Sequence, residues 1–200
     1  TGSDGDVTTI DNIELVTGSA FNDTLLGDGK NNSLQGLVGN DYLNGGAGND
    51  SLGGGTGDDT YAFGDGWGHD TVTEGGGVDT ADFSAVTADL LVNQIAGAGV
   101  EATDGTNTVH WSGIENVIGG SGNDTINGSV SGNRITGGAG DDLLAGWYGN
   151  DAYLGFGLGS GHDTVNDAHG TADQASFLGL NSGAVQLYAV DSNSDGFLDR

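Results

Sequence analysis

The chain has 200 residues, of which 42 are Gly, with 29 Asp plus Glu against three Lys plus Arg, for a formal net charge of −26; Pro, Cys and Met are absent. Without Cys there is no disulfide scaffold and no thiolate metal site. A pI near 4.1 excludes nucleic-acid and anionic-membrane binding, and no apolar run approaches the roughly 18 residues of a spanning helix. What remains is a disordered polyanion or a fold that depends on counter-cations.

In chain order, an Asp-Gly turn at Asp4-Gly5 and the pair Ile13-Glu14 come first. Residues 18–62 then divide into nines: GSAFNDTLL, GDGKNNSLQ, GLVGNDYLN, GGAGNDSLG and GGTGDDTYA. Their sixth positions are Asp23, Asn32, Asp41, Asp50 and Asp59, and their eighth are Leu25, Leu34, Leu43, Leu52 and Tyr61. Gly68-His69-Asp70-Thr71-Val72 follows after an insertion of two residues, then Asp79, Ala81 and Phe83. A second Asp-Gly turn, Asp104-Gly105, precedes an alternating segment, Asn107–Trp111, and Ile114-Glu115 repeats the earlier Ile-Glu pair. Residues 119–154 resume the nines as GGSGNDTIN, GSVSGNRIT, GGAGDDLLA and GWYGNDAYL. Here the sixth positions are Asp124, Asn133, Asp142 and Asp151, and the eighth are Ile126, Ile135, Leu144 and Tyr153. Gly161-His162-Asp163-Thr164-Val165 follows after an insertion of three, then Asp173, Ala175 and Phe177, the alternating segment Ala184–Val190 and a third turn at Asp195-Gly196. The chain thus reads as an excerpt from a longer array.

Each nonapeptide divides into a six-residue loop and a three-residue strand. A strand with one inward apolar residue cannot bury it alone, so neighbouring repeats must stack. Two nonapeptides make one 18-residue coil of a flattened roll, with loops alternating between two edges. Asp23, Asp41 and Asp59 line one edge, and Asn32 with Asp50 the other; in the second run the edges are Asp124 with Asp142, and Asn133 with Asp151. Stacked strands lie about 4.8 Å apart, so same-edge carboxylates repel unless a cation sits between them. Asp oxygens and bent-loop carbonyls are hard ligands that favour calcium. The short Asp side chain keeps its carboxylate close to its own loop.

The GGxGxDxUx pattern of these nonapeptides resembles the RTX, or haemolysin-type calcium-binding, repeat. The resemblance covers 45 residues of the first run and 36 of the second, with GHDTV and Ile-Glu flanks similar to those of RTX arrays in large secreted bacterial proteins. It implies an all-β fold: a calcium-loaded parallel β-roll (β-solenoid) whose two repeat runs are joined by longer β segments. Two units are expected, at 1–97 and 98–200. The implied metal ligands are the carboxylates of Asp23, Asp41, Asp50, Asp59, Asp124, Asp142 and Asp151, with Asp70 and Asp163 as the acids shifted by insertions. The implied carbonyl ligands belong to loop positions one and three: Gly36, Val38, Gly45, Ala47, Gly54, Thr56, Gly137, Ala139, Gly146 and Tyr148. Asn32 and Asn133 depart from the pattern, and Lys30 and Arg134 bring cations to the same loops; these loops are expected to hold a weak site or none. Roughly five to eight calcium ions are expected, and about six would cut the formal charge to roughly −14.

Other readings attach to several residues. The position-six Asp residues could be turn formers, but their nine-residue register favours ligation. His69 and His162 sit in a recurring motif and are read as structural; His110 and His169 have no companions. No nucleophile elbow, HExxH motif or paired-Glu site occurs, so no enzyme is expected within these residues. Asp191, Asn193, Asp195 and Asp199 imitate the start of an EF-hand loop, although a hairpin turn is the preferred reading. Trp67, Trp111, Trp147 and Tyr148 are read as capping or plugging the roll, with a sugar-stacking surface as the alternative.

Without calcium, like charges repel and the many Gly residues lose backbone entropy on folding, so folding is expected to be coupled to metal binding. Extracellular calcium modules bind at roughly 10⁻⁴–10⁻³ M, so the chain would fold after export. The resemblance further implies type I secretion through the parent protein and a place outside the cell or on its surface. The expected role is a calcium-folded structural module. Alternatives are a polysaccharide- or cell-surface-binding, adhesin-like module, or an accessory domain of a secreted enzyme.

Overall fold

The computed structural model describes residues 7–9, 14–95, 101–156, 159–167 and 172–177, and every regular element among them is a strand. In chain order these are β1 (Val7–Thr9), β2 (Leu15–Thr17), β3 (Thr24–Leu26), β4 (Ser33–Val38), β5 (Tyr42–Asn44), β6 (Ser51–Thr56), β7 (Thr60–Gly64), β8 (His69–Thr73), β9 (Asp79–Ala85) and β10 (Leu91–Asn93). There follow β11 (Ala102–Thr103), β12 (Thr108–His110), β13 (Ile114–Ile118), β14 (Thr125–Asn127), β15 (Arg134–Thr136), β16 (Leu143–Ala145), β17 (Ala152–Phe156), β18 (Thr164–Val165) and β19 (Gln174–Phe177).

Through each repeat run, successive strands go to opposite sheets, so each coil gives one strand to each face of a flattened roll. One sheet runs β1-β3-β5-β7-β9-β13-β15-β17-β19; the other runs β2-β4-β6-β8-β12-β11-β10-β14-β16-β18. Pairing is parallel except at β10-β11 and β11-β12. The 18-residue register places Leu25 beside Leu43 and Leu34 beside Leu52, and in the second run Ile126 beside Leu144. These eighth-position side chains point inward and are fully buried. Each short strand carries a single core residue, so only the stack makes a continuous apolar interior.

The residues expected as units 1–97 and 98–200 contribute to the same two sheets. In one sheet β9 of the first run pairs directly with β13. In the other, the antiparallel hairpin β11–β12 fills the gap between runs, with β12 parallel to β8. The hairpin turns at Asp104-Gly105, where Asp104 Oδ1 accepts the N–H groups of Thr106 and Asn107 at 2.9 and 2.7 Å. A chain of aromatic contacts links Trp67, Phe63, Phe83 and Trp111 inside the roll, with the Phe63 and Phe83 rings stacked at 4.8 Å. Trp67 and Trp111 are therefore core plugs, 1% and 8% exposed, whereas Trp147 and Tyr148 are 39% and 51% exposed. Asp4-Gly5, His169, Ala184–Val190 and the EF-hand-like acids from Asp191 to Asp199 lie outside the described residues.

Candidate metal centre

The sixth loop position sits where the chain enters a strand, and stacking brings successive sixth residues of one edge together. From the second coil of each run on, each sixth-position carboxylate Oδ1 accepts the backbone N–H of the sixth residue one coil earlier, while Asp124 Oδ1 accepts that of Leu90. Asp41 takes it from Asp23, Asp59 from Asp41 and Asp50 from Asn32, each at 2.7 Å. The insertion-shifted acids keep this role, Asp70 toward Asp50 at 2.8 Å and Asp163 toward Asp142 at 3.2 Å. In the second run Asp142 accepts from Asp124 and Asp151 from Asn133.

Two acids that sequence reasoning did not assign extend the ladder: Asp79 accepts from Asp59 and Asp173 from Asp151. A third joins the runs, for Glu115 Oε2 accepts the N–H of Asp79 at 2.9 Å. The edge row therefore reads Asp23, Asp41, Asp59, Asp79, Glu115, then Asn133, Asp151, Asp173, the step from Glu115 to Asn133 being made instead by Asn133 Nδ2 donating to the Glu115 carbonyl. The signal for Asp79 and Asp173 was their recurrence after the two runs; for Glu115 it was the repeated Ile-Glu pair.

The second carboxylate oxygens divide the loops into two kinds. In Asp41, Asp50, Asp59, Asp142 and Asp151, Oδ2 is buried without a hydrogen-bond partner. In Asp23 and Asp124, Oδ2 accepts the N–H of loop position two, Ser19 at 2.6 Å and Gly120 at 2.7 Å. Asn32 and Asn133 are capped likewise, by Asp28 and Ser129. Backbone conformation tracks the split. Position two has positive φ in the five loops with an orphaned oxygen, at Leu37, Gly46, Gly55, Gly138 and Trp147, and at none of the four capped ones. Turning the peptide between positions one and two takes its N–H away from the carboxylate. A buried carboxylate oxygen left so costs several kcal/mol or more unless a cation faces it.

The space beside these oxygens is kept open. A Cβ on Gly36, Gly45, Gly54, Gly137 or Gly146 would overlap the loop's own Asp Oδ2. The carbonyl of Gly36 also lies 2.8 Å from where a Gly18 Cβ would stand, and that of Gly54 2.7 Å from the Gly36 counterpart. At the Gly36 cradle a position-one carbonyl and an unpaired carboxylate, Gly54 O and Asp41 Oδ2, thus converge. The donors are all hard oxygens, which suits calcium over softer metals. Of the expected position-three carbonyls, Thr56 O accepts the N–H of Gly39 at 2.9 Å.

A sequence-family model for the RTX calcium-binding nonapeptide repeat matches in four copies, at residues 17–52, 26–61, 112–144 and 129–165. The chain belongs to the RTX calcium-binding repeat family. No curated protein matches it. Its all-β parallel roll is the architecture that the resemblance implied.

In this RTX roll burial, more than the crowding of acids, raises the carboxyl pKa values. Burial, partly offset by the backbone N–H of the preceding coil, pushes Asp59, Asp142 and Asp151 up to about 6 and Asp70 and Asp79 to about 7. Asp41, Asp50, Asp124 and Asp163 are raised for the same first reason. The Asn133 loop replaces charge with an amide. Asn133 Nδ2 donates to the Glu115 carbonyl at 2.7 Å and to Ser129 Oγ at 3.2 Å, while Oδ1 accepts from Ser129 N. A neutral donor thus points at a main-chain oxygen, and Arg134 stands exposed on the outer face.

A second ladder, unforeseen from the sequence, runs through the fifth position. Asn40 and Asn49 donate their backbone N–H to Asn22 and Asn31 Oδ1 at 2.8 and 2.9 Å, and Asn123 Oδ1 accepts from Asp141. His69 and His162 belong to this ladder through their backbone N–H groups, accepted by Asn49 and Asp141, which fits the structural role expected of them.

Proposed function

We propose that this RTX roll is a calcium-folded structural module of an extracellular or cell-surface protein. The observation that carries the reading is the set of five buried, unpartnered carboxylate oxygens beside Gly cradles. On this reading Asp41, Asp50, Asp59, Asp142 and Asp151 are the principal ligands, with position-one carbonyls. Asp70 and Asp163 continue the second edge, Asp23 and Asp124 open the runs with weaker sites, and Asn32 and Asn133 hold none. Calcium supplies the positive charge that makes the acidic rows compatible with stacking. The chain's own residues align the rows, close the core and exclude water from one oxygen of each ligand. The millimolar calcium typical outside cells would drive folding after type I export, while a calcium-poor cytosol leaves the chain unfolded.

Circular dichroism tests this directly. The spectrum should change from coil to β on adding millimolar calcium and revert with chelator. A chain fully folded in chelator would overturn the reading. The adhesin-like alternative is supported by Trp147 and Tyr148, adjacent and exposed on one loop. The module itself is assigned no catalysis; an enzyme, if present, would be another segment of the parent protein.

A further inference from the structure

Both repeat runs end in the same three-carboxylate arrangement. After the first run, ligand atoms of Asp59, Glu74 and Asp79 lie within 4.8 Å of one another, and after the second, so do those of Asp151, Asp167 and Asp173. In both, the eighth residue of the last nonapeptide is Tyr, where other loops place Leu or Ile. Its hydroxyl accepts a backbone N–H from position one of its own nonapeptide, Gly54 to Tyr61 at 2.7 Å and Gly146 to Tyr153 at 2.6 Å. The same hydroxyl donates to the extra acid, Tyr61 to Glu74 and Tyr153 to Asp167. Asp59 and Asp151 are each 1% exposed, and each keeps an unpartnered Oδ2. Beside Gly54, that Asp59 oxygen adjoins the Tyr61 hydroxyl that holds Glu74, so it faces the cluster.

Simple repetition does not account for the third acid. Glu74 stands five residues before Asp79 and Asp167 six before Asp173, so the shorter side chain is matched by one more backbone residue. The tyrosine contact is kept despite that change.

We propose that each run is closed by a calcium site of a second kind, made of three carboxylates and positioned by a core tyrosine. The proposal rests on the calcium-folding reading above and goes beyond its nonapeptide sites. Three negative charges replace a pair plus neutral carbonyls, and ligand charge count is a main determinant of calcium affinity. These two sites therefore fill first and fasten the end of each repeat run.

The test is calcium titration of the full chain by calorimetry, with Glu74→Gln and Asp167→Asn made singly. Each amide keeps an oxygen to accept the tyrosine O–H, so the core contact survives while a charge is removed. Each variant should lose one equivalent from the tightest class, or bind it at least about tenfold more weakly, the order of step that separates calcium-site classes. Asp65→Asn, the same charge change at an exposed carboxylate, should bind as the parent does. Unchanged number and affinity in Glu74→Gln and Asp167→Asn would overturn the proposal. So would failure of either variant to fold in saturating calcium, because the nonapeptide sites suffice for folding on this account. Calcium-independent folding of the parent chain would instead strike the broader reading.

Discussion

At Leu37 and Trp147 the chain puts large side chains at φ +87° and +73°, a region that costs an L-residue roughly 1–2 kcal/mol. Both stand at position two of loops whose sixth carboxylate has an orphaned oxygen. Such strain persists where surrounding structure over-determines it, and it gathers at functional sites. Leu37→Gly removes the strain at a smaller entropic cost of about 0.5–1 kcal/mol. It should therefore lower the calcium concentration at the folding midpoint, read by circular dichroism. Asp41→Asn should do the reverse and raise that midpoint severalfold, whereas Asp65→Asn should leave it nearly unmoved. Equal shifts for the two Asp variants would mean that position six is no special ligand. The sixth-position acids were legible as a column in the sequence. The division between orphaned and capped carboxylates was not, because it follows from a peptide orientation that Leu37 and Trp147 adopt against their own preference.

At the level of the strand and its loop, stability comes from stacking more than from any single element. A three-residue strand such as β5 buries one residue, Leu43, between Leu25 and Tyr61 of its neighbours. Leu43→Ala should cost about 2–5 kcal/mol, read as a lower urea midpoint at saturating calcium with an unchanged slope. A cost below about 1 kcal/mol would show that the roll collapses around the gap. The strand positions and their inward residue were readable from the nine-residue period. The aromatic chain from Trp67 to Trp111 was not, because its members come from three separate stretches of chain, 63–67, Phe83 and Trp111. Tyr61 likewise looked like one more apolar residue. Its hydroxyl's tie to Glu74 depends on a loop that departs from the repeat.

Across the whole molecule, the acid rows make stability depend on pH and on metal in opposite senses. A buried carboxyl whose folded pKa is raised favours the fold while protonated. Its contribution is fully present below the unfolded value of 3.8 and is lost as pH rises through about 6 for Asp59, Asp142 and Asp151 and about 7 for Asp70 and Asp79. In calcium-free buffer, β structure should therefore grow as pH falls from 8 toward about 4. In calcium, protons compete for the same oxygens, so the folding midpoint should need more calcium at pH 5 than at pH 8. Calcium titrations followed by circular dichroism across that range check both signs. An apo spectrum that loses β content on acidification would contradict the raised values.

Period, strand parity and the edge assignment of each sixth-position Asp were written in the one-dimensional pattern, because a nine-residue loop-and-strand unit leaves the backbone few other ways to bury its lone apolar residue. Stacking alone chose how the two runs join. The hairpin β11–β12 spaces one sheet while β9 meets β13 in the other, and so Glu115 links Asp79 to the row that Asn133 continues. Those contacts, like the Tyr-held acids at each run's end, connect residues whose spacing breaks the period. Their proximity is set by how far each insertion displaces the next strand, a quantity that only the packed roll contains.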